Sequence, residues 1–242
     1  MNASIISIGT ELLSGRTVNT NSTEISKLLY LNDIDIIRSL SIHDTSADIK
    51  KALDYCLADS DLCILTGGLG PTNDDITKLS LCNYFDDELV LNETELDRLE
   101  QWFRKRNRVM SDVNRQQAYY PSKSRQFIND LGTASGILFE ETDKIVISLP
   151  GVPHEMIHLM NNRVMPYLRE KNPQRKDHHS LIFRLVNKAE SDVFKILEDM
   201  IEHNKQISFA FYPNFMLLDL ILSGPQKQLD QVATEVLERI GD

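Results

Sequence analysis

The chain has 242 residues, 41% hydrophobic and 26% charged, enough for one large domain or two unequal ones and for a buried core without disulfides. Acidic residues outnumber basic ones by 36 to 26, and the net charge of −10 disfavours nucleic acid and anionic membranes as partners. A local nest of backbone N–H groups can still override that charge for a phosphorylated small molecule.

Cys56, Cys63 and Cys82 form no CxxC pair and read as reduced thiols, which places the protein in the cytoplasm. No basic residue precedes Arg16, so the N-terminus is not read as a signal peptide. No apolar run approaches the ~20 residues of a membrane span.

In chain order, Ser4–Ile8 is a β-rich run ending at Gly9. The cap signal Asn21-Ser22-Thr23-Glu24 precedes Ile25, Leu28 and Leu29 at helical spacing. Ile34–Ile37 reads as a second strand, Asp44–Ala58 as a helix, and Asp61–Leu65 as a third strand running into a glycine loop. This alternation is that of a parallel sheet with helices on both faces. Asn92-Glu93-Thr94-Glu95 starts another helix, and Asn114–Tyr120 a short one. Gln126–Ile128, Gly136–Glu140 and Lys144–Leu149 suggest a hairpin added to the sheet, and a long helix is expected from His154 to about Arg169. Residues 171–177 read as a linker. After it, Ser180–Val186, Ser191–Glu202, Ile207–Phe211, Phe215–Ser223 and Gln226–Ile240 give a βαββα pattern, a small α+β domain over residues 178–242.

The strongest chemical signal is Thr66-Gly67-Gly68-Leu69-Gly70-Pro71-Thr72-Asn73-Asp74-Asp75-Ile76-Thr77, between a strand and a helix. At the carboxyl edge of an open α/β sheet, Gly67, Gly68 and Gly70 let the backbone approach a ligand, and the helix start favours an anion. It is neither a Walker loop nor a GxGxxG fingerprint. Asp74 and Asp75 beside an anion nest would repel phosphate unless a divalent cation bridged them. They therefore point to metal-assisted phosphoryl or pyrophosphate chemistry, against simple helix capping.

A second loop, Gly9-Thr10-Glu11-Leu12-Leu13-Ser14-Gly15 with Asn19-Thr20-Asn21, also follows a strand. Glu11 is expected to join the aspartates. Asn19 and Asn21 are candidates to donate to ligand oxygens, capping by Asn21 being the alternative. A third, Pro150-Gly151-Val152-Pro153-His154-Glu155, offers Gly151 for close approach and Glu155 in a first helical turn. A zinc site at His154 and His158 is not expected. In Asn114-Arg115-Gln116-Gln117, Arg115 is a candidate to supply charge to a phosphate.

GTELLSGRTVNTN, TGGLGPTNDDIT, NRQQA, GTASG and PGVPHEM occur in the order seen in the competence/damage-inducible CinA family, which the first 170 residues or so resemble. The resemblance implies a molybdopterin-binding-type domain over residues 1–170, a three-layer α/β/α sandwich with a mostly parallel sheet. Residues 178–242 are similar in pattern to the family's KH-type domain. The implied activity is metal-dependent ADP-ribose pyrophosphatase, giving AMP and ribose 5-phosphate. Glu11, Asp74 and Asp75 would be catalytic, with Asp74 and Asp75 on the metal. Substrate contacts would fall on Gly9, Thr10, Asn19, Asn21, Gly67, Gly68, Leu69, Gly70, Thr72, Thr77, Asn114, Gln117, Gly151 and Glu155, and a homodimer is the implied assembly. Many members carry a further amidohydrolase domain. The sequence ends at Asp242, where that domain would begin, so deamidation is not expected of these residues.

Two departures stand out. The family's Val-Gly-Asp reads Ile42-His43-Asp44, which is expected to tighten that loop. Its GTAPG reads Gly132-Thr133-Ala134-Ser135-Gly136, with Ser135 expected to loosen the turn. The small domain has no GxxG loop and, with nine basic against eleven acidic residues over 171–242, is expected to act in dimerisation or in shaping the cleft rather than on RNA. A pterin-phosphate-binding or adenylyl-transferring protein, and a non-catalytic binding module, remain as alternatives.

Overall fold

Asn2–Ile8 forms β1, which is buried from Ala3 onward on both faces, as a central parallel strand must be. Its neighbours are β2 (Asp35–Ile42) and β3 (Leu62–Thr66), both parallel to it. The computed structural model describes residues 1–72, 74–173 and 179–241. They divide into two compact units, Met1–Tyr30 with Ile34–Pro173, and Leu31–Asp33 with Gln174–Asp242.

In the first unit, α1 (Thr10–Leu13) and α2 (Thr20–Tyr30) lead from β1 to β2, and α3 (Ser46–Leu57) leads on to β3. Then follow α4 (Thr77–Tyr84), β4 (Leu89–Leu91), α5 (Glu93–Arg104), α6 (Asp112–Arg115), a 3-10 turn at Gln116–Ala118 and β5 (Tyr119–Pro121). The unit closes with β6 (Arg125–Phe127), β7 (Gly136–Glu141), β8 (Lys144–Leu149), α7 (Pro153–Leu159) and α8 (Met165–Lys171). The sheet order is β2-β1-β3-β8-β7-β6, with β8 parallel to β3, β7 antiparallel to β8 and β6 antiparallel to β7, so that β7 alone runs against the others.

Alternate residues of the central strands face opposite sides. Ile5, Leu62, Ile64 and Ile147 pack with Ile25, Leu29, Met156 and Leu159 of α2 and α7. Ile6, Cys63, Leu65 and Val146 pack with Ile49, Leu53 and Leu81 of α3 and α4. The unit is thus a three-layer α/β/α sandwich, and the three cysteines are free and buried.

Local chemistry sets the element ends. Asn92 caps α5, its Oδ1 accepting from Glu95 N at 3.0 Å, a bond of about 1 kcal/mol. The single helix expected over 154–169 is interrupted by a π turn at Met160–Val164. Pro166 has no N–H for the carbonyl four residues back, so the α ladder cannot run through. The short helix expected at 114–120 ends early: Tyr119–Pro121 pairs antiparallel with β4, a two-stranded ribbon that no periodicity announced.

The second unit is β9 (His179–Val186), α9 (Glu190–His203), β10 (Ser208–Asn214), β11 (Leu217–Gly224) and α10 (Gln226–Ile240), an antiparallel sheet in the order β10-β11-β9. Leu218, Leu220 and Leu222 of the central strand pack against Val193, Leu197, Val232 and Val236. The βαββα pattern is therefore present. Most of the expected linker, residues 174–177, lies outside the described residues, as do Asn73 and His178. Among the described residues no helix is long and apolar enough to cross a membrane.

Candidate functional site

Because β1, β2, β3 and β8 run parallel, the loops that follow them leave the sheet on one edge. The chain goes from β1 out to β2 and then back past β1 to β3, so the order reverses between β1 and β3. In open α/β sheets ligands bind outside the strand ends at that reversal. Here it holds Gly9 after β1, Asp44 after β2, Gly67 after β3 and Gly151 after β8. They enclose a cleft of about 410 Å³.

The Gly67–Gly70 loop forms the floor. Gly67 N still donates to Leu149 O at 3.0 Å, continuing the sheet. Gly67 and Gly68 then adopt φ of 110° and 65°, a region closed to branched side chains. A Cβ at Gly67 would overlap Ile8 O, and one at Gly68 would overlap Thr77 Oγ1. Thr77 braces the turn: its N donates to Gly68 O at 3.1 Å and its hydroxyl to Gly67 O at 3.1 Å. Among the described residues the backbone N–H groups of Gly68, Leu69 and Gly70 have no hydrogen-bond partner.

Carboxylates surround this floor. Glu11, Asp44, Asp74, Asp75 and Glu155 all line the cleft. A side chain at Gly9 would run into the Glu11 carboxylate, and one at Gly132 into that of Glu155, so these glycines make room for the acids. Asp75 Oδ2 accepts from Thr72 N at 2.9 Å and Thr72 Oγ1 at 2.6 Å, which fixes its rotamer. Asp44 was not a candidate from the sequence. Its position directly after β2, on the same edge as the other loops, is the signal that could have found it. No group of three or more acidic, histidine or cysteine side chains is placed to hold a metal ion by itself among the described residues.

The fourth wall depends on a buried ion pair. Glu95 is 1% exposed and accepts from Arg98 Nε at 2.7 Å and Nη2 at 2.9 Å. Arg98 Nη1 in turn donates to the carbonyls of Asn129 and Gly132. Ser135 Oγ donates to Glu95 Oε1 at 2.8 Å and accepts from Asn129 N at 3.1 Å. Asn129 Nδ2 reaches Glu155 Oε2 at 2.6 Å. The expectation that Ser135 loosens this turn is corrected: its hydroxyl staples the turn to α5.

The structure brings Gly9, Glu11, Gly67, Gly68, Leu69, Gly70, Asp74, Asp75, Gln117, Gly151 and Glu155 onto the cleft. Gln117 is 2% exposed; its amide donates to Leu69 O at 3.4 Å and its Oε1 has no partner among the described residues. Other candidates lie elsewhere. Thr10 donates twice to Asp44 and Thr77 braces the loop, and neither lines the cleft. Asn114 bonds Ser111 Oγ at 2.8 Å, and Arg115 pairs with Glu100 at 3.0 Å; neither lines the cleft.

Asn19, not Asn21, caps α2, accepting from Ser22 N at 3.1 Å. Asn21 donates to Thr66 Oγ1 at 2.9 Å and Gly151 O at 2.8 Å. Its amide hydrogens are spent on the protein, which corrects the expectation that it donates to a ligand; its Oδ1 is buried and has no partner among the described residues. Both asparagines line a small side pocket of about 110 Å³ next to Glu11. Thr72 lines a separate lobe beyond Asp75.

A mostly parallel sheet with a glycine-floored, carboxylate-lined cleft at its strand reversal defines an open α/β protein of the class that places its ligand sites at the carboxyl edge of the strands. Residues 4–170 match the family described as "Probable molybdopterin binding domain". The "CinA-like protein" of Dictyoglomus thermophilum is 36% identical over 249 residues, covering all of this chain and 60% of that one. A Caldicellulosiruptor saccharolyticus relative, whose name refers to competence-damage induction, is 37% identical over 99% of this chain and 58% of its own. The crystal structure of CinA from Thermoplasma acidophilum, described as of unknown function, is 34% identical with a TM-score of 0.62, covering 71% of this chain and 96% of that one. The chain belongs to the CinA-like family, and it spans about three fifths of the length of these two curated relatives.

Proposed function

We propose that the first unit binds a nucleoside diphosphate sugar along Gly68–Gly70 and hydrolyses its pyrophosphate, with ADP-ribose as substrate and AMP and ribose 5-phosphate as products. One juxtaposition carries the reading. Three backbone N–H groups without a partner among the described residues, which suit an anion, lie in the same cleft as five carboxylates, which repel one. A polyphosphate accompanied by a divalent cation reconciles the two.

The donor set fits such a cation. Asp74 and Asp75 offer hard carboxylate oxygens, and Asp75 Oδ1 is not used by Thr72. Since no three acidic, histidine or cysteine side chains converge among the described residues, phosphate oxygens and water would complete the shell. When bound, the cation neutralises phosphate charge and acidifies water. The chain's own residues do the rest. The N–H groups of Gly68, Leu69 and Gly70 hold phosphate oxygens. A carboxylate of the Glu11, Asp74 and Asp75 set accepts a proton from the attacking water. As the new P–O bond forms, the bridging P–O bond breaks and its electron pair leaves with the departing phosphate.

Incubating the full chain with ADP-ribose and Mg²⁺ or Mn²⁺ should give equimolar AMP and ribose 5-phosphate, resolved by chromatography. Excess chelator should stop the reaction and added divalent ion restore it. Full turnover after verified metal removal would exclude the cation. Absence of AMP with every divalent ion tested would overturn the hydrolase, and AMP transfer to molybdopterin would replace it.

A further inference from the structure

Asp75 stands between two hollows. On one side is the carboxylate cleft. On the other is a lobe of about 380 Å³ that shares Gly70, Pro71 and Asp75 with it. A ligand with phosphates on the Gly68–Gly70 amides can therefore place one end in each.

The two ends would meet different chemistry. The cleft presents carboxylate acceptors, which suit the hydroxyls of a sugar. The lobe is walled by Leu79, Leu89 and Tyr119, with Gln116 at its rim. Leu79 and Tyr119 are 54% and 40% exposed, an apolar surface left open beside a polar site. Its one cation, Lys78, is not available to an anion. Lys78 Nζ donates to Gln117 O at 2.9 Å and Tyr119 O at 3.2 Å and lies 4.0 Å from the centre of the Tyr120 ring. Those bonds hold the backbone on both sides of Ala118, and the pairing of Leu91 with Tyr119 fixes the other edge. Tyr119 is thus a platform on a pinned segment, and the exposed Gln116 amide carries one donor and one acceptor function.

We propose that this lobe is the nucleobase subsite: the base stacks on Tyr119 against Leu79 and Leu89, and Gln116 reads its edge. A planar base with apolar faces and a hydrogen-bonding rim matches such walls; a phosphate or a sugar does not. The inference rests on the pyrophosphate reading for its ligand. It adds which end of the ligand goes where, and which side chains select the base.

The test is calorimetric binding of AMP and of ribose 5-phosphate to the full chain, wild type, Tyr119→Ala, Tyr119→Phe and Gln116→Ala, with thermal melts and size-exclusion profiles for each. Tyr119→Ala should weaken AMP about tenfold, a stacking loss, and leave ribose 5-phosphate unchanged. Tyr119→Phe keeps the ring and should bind as wild type. Gln116→Ala should narrow the preference for AMP over CMP. Unchanged AMP affinity in folded Tyr119→Ala overturns the subsite, as does equal weakening of both ligands or failure of the wild type to bind AMP. A changed oligomeric state with unchanged AMP affinity would make the lobe a contact between copies of the chain, and also overturns it. Tyr119-dependent AMP binding without ADP-ribose cleavage would uphold the subsite and remove the hydrolase. Cleavage with the same KM in wild type and Tyr119→Ala would do the reverse.

Discussion

The Asp44 carboxylate receives both the backbone N–H and the hydroxyl of Thr10, at 2.8 and 3.0 Å, and so ties the end of β2 to the start of α1. The next residue is Glu11, on the cleft wall. Asp44→Ala should free this turn and lower kcat for ADP-ribose about tenfold or more through misplacement of Glu11. Asp44→Asn keeps an acceptor for Thr10 and should retain more activity than the alanine variant. If the asparagine variant is the worse of the two, Asp44 acts through its charge rather than through Thr10.

Asp75 is held by Thr72 and faces both hollows. Asp75→Asn preserves shape and an acceptor while removing charge, and turnover should fall about 10²-fold or more with a much smaller change in KM. Asp74→Asn and Glu11→Gln should follow the same split, and the double aspartate variant should be no worse than the poorer single. Near-wild-type kcat in all of them would make these acids caps and leave a binding module.

Gly68→Val tests the floor. Its φ of 65° and the overlap with Thr77 Oγ1 should cost about 2–3 kcal/mol of stability and abolish measurable AMP binding. A folded variant that binds AMP like wild type by calorimetry would limit the loop to a structural role.

Glu95→Ala strands the Arg98 guanidinium and removes the acceptor of Ser135. Urea unfolding should show a loss of about 3–5 kcal/mol, the range for breaking a buried pair from one side. A loss under 1 kcal/mol would mean that the 129–135 wall holds without it.

Burial pushes the Lys78 ammonium down to about 8, only partly offset by the charges of Glu95 and Asp75. A lowered folded-state value means that the unfolded chain binds the proton more tightly between pH 8 and the ordinary lysine range. Stability therefore rises with pH through that window, by about 1 kcal/mol from pH 7 to 9. Lys78→Met should abolish this rise, read as the difference between the two proteins' unfolding free energies at each pH. An identical pH slope in both would show that Lys78 keeps its proton in the folded state.

The local code of the chain was sufficient for the strands of the main sheet and for the glycine loop. Apolar runs of five or six residues ending at Gly9 and Gly67 can be buried strands, and Gly67-Gly68 before an aspartate pair has few local uses besides close approach of backbone to a ligand. Capping chemistry was less legible. Asn19 and Asn21 are both suitable caps by type, and only the start of α2 at Thr20 gives the role to Asn19 and frees Asn21 to brace Gly151.

What the sequence determined by itself was short-range: strand and helix types, turns that require glycine, and which segments bear acids, since each depends on residues a few positions apart. The tertiary structure decided everything that depends on which strands lie side by side. Asp44 joins the cleft because β2 is parallel to β1, and Tyr119 reaches the lobe because β5 pairs with β4. Ser135 is a staple because Glu95, forty residues earlier, is brought beside it. Such pairings follow from burying the whole sheet at once, and no local spacing encodes them.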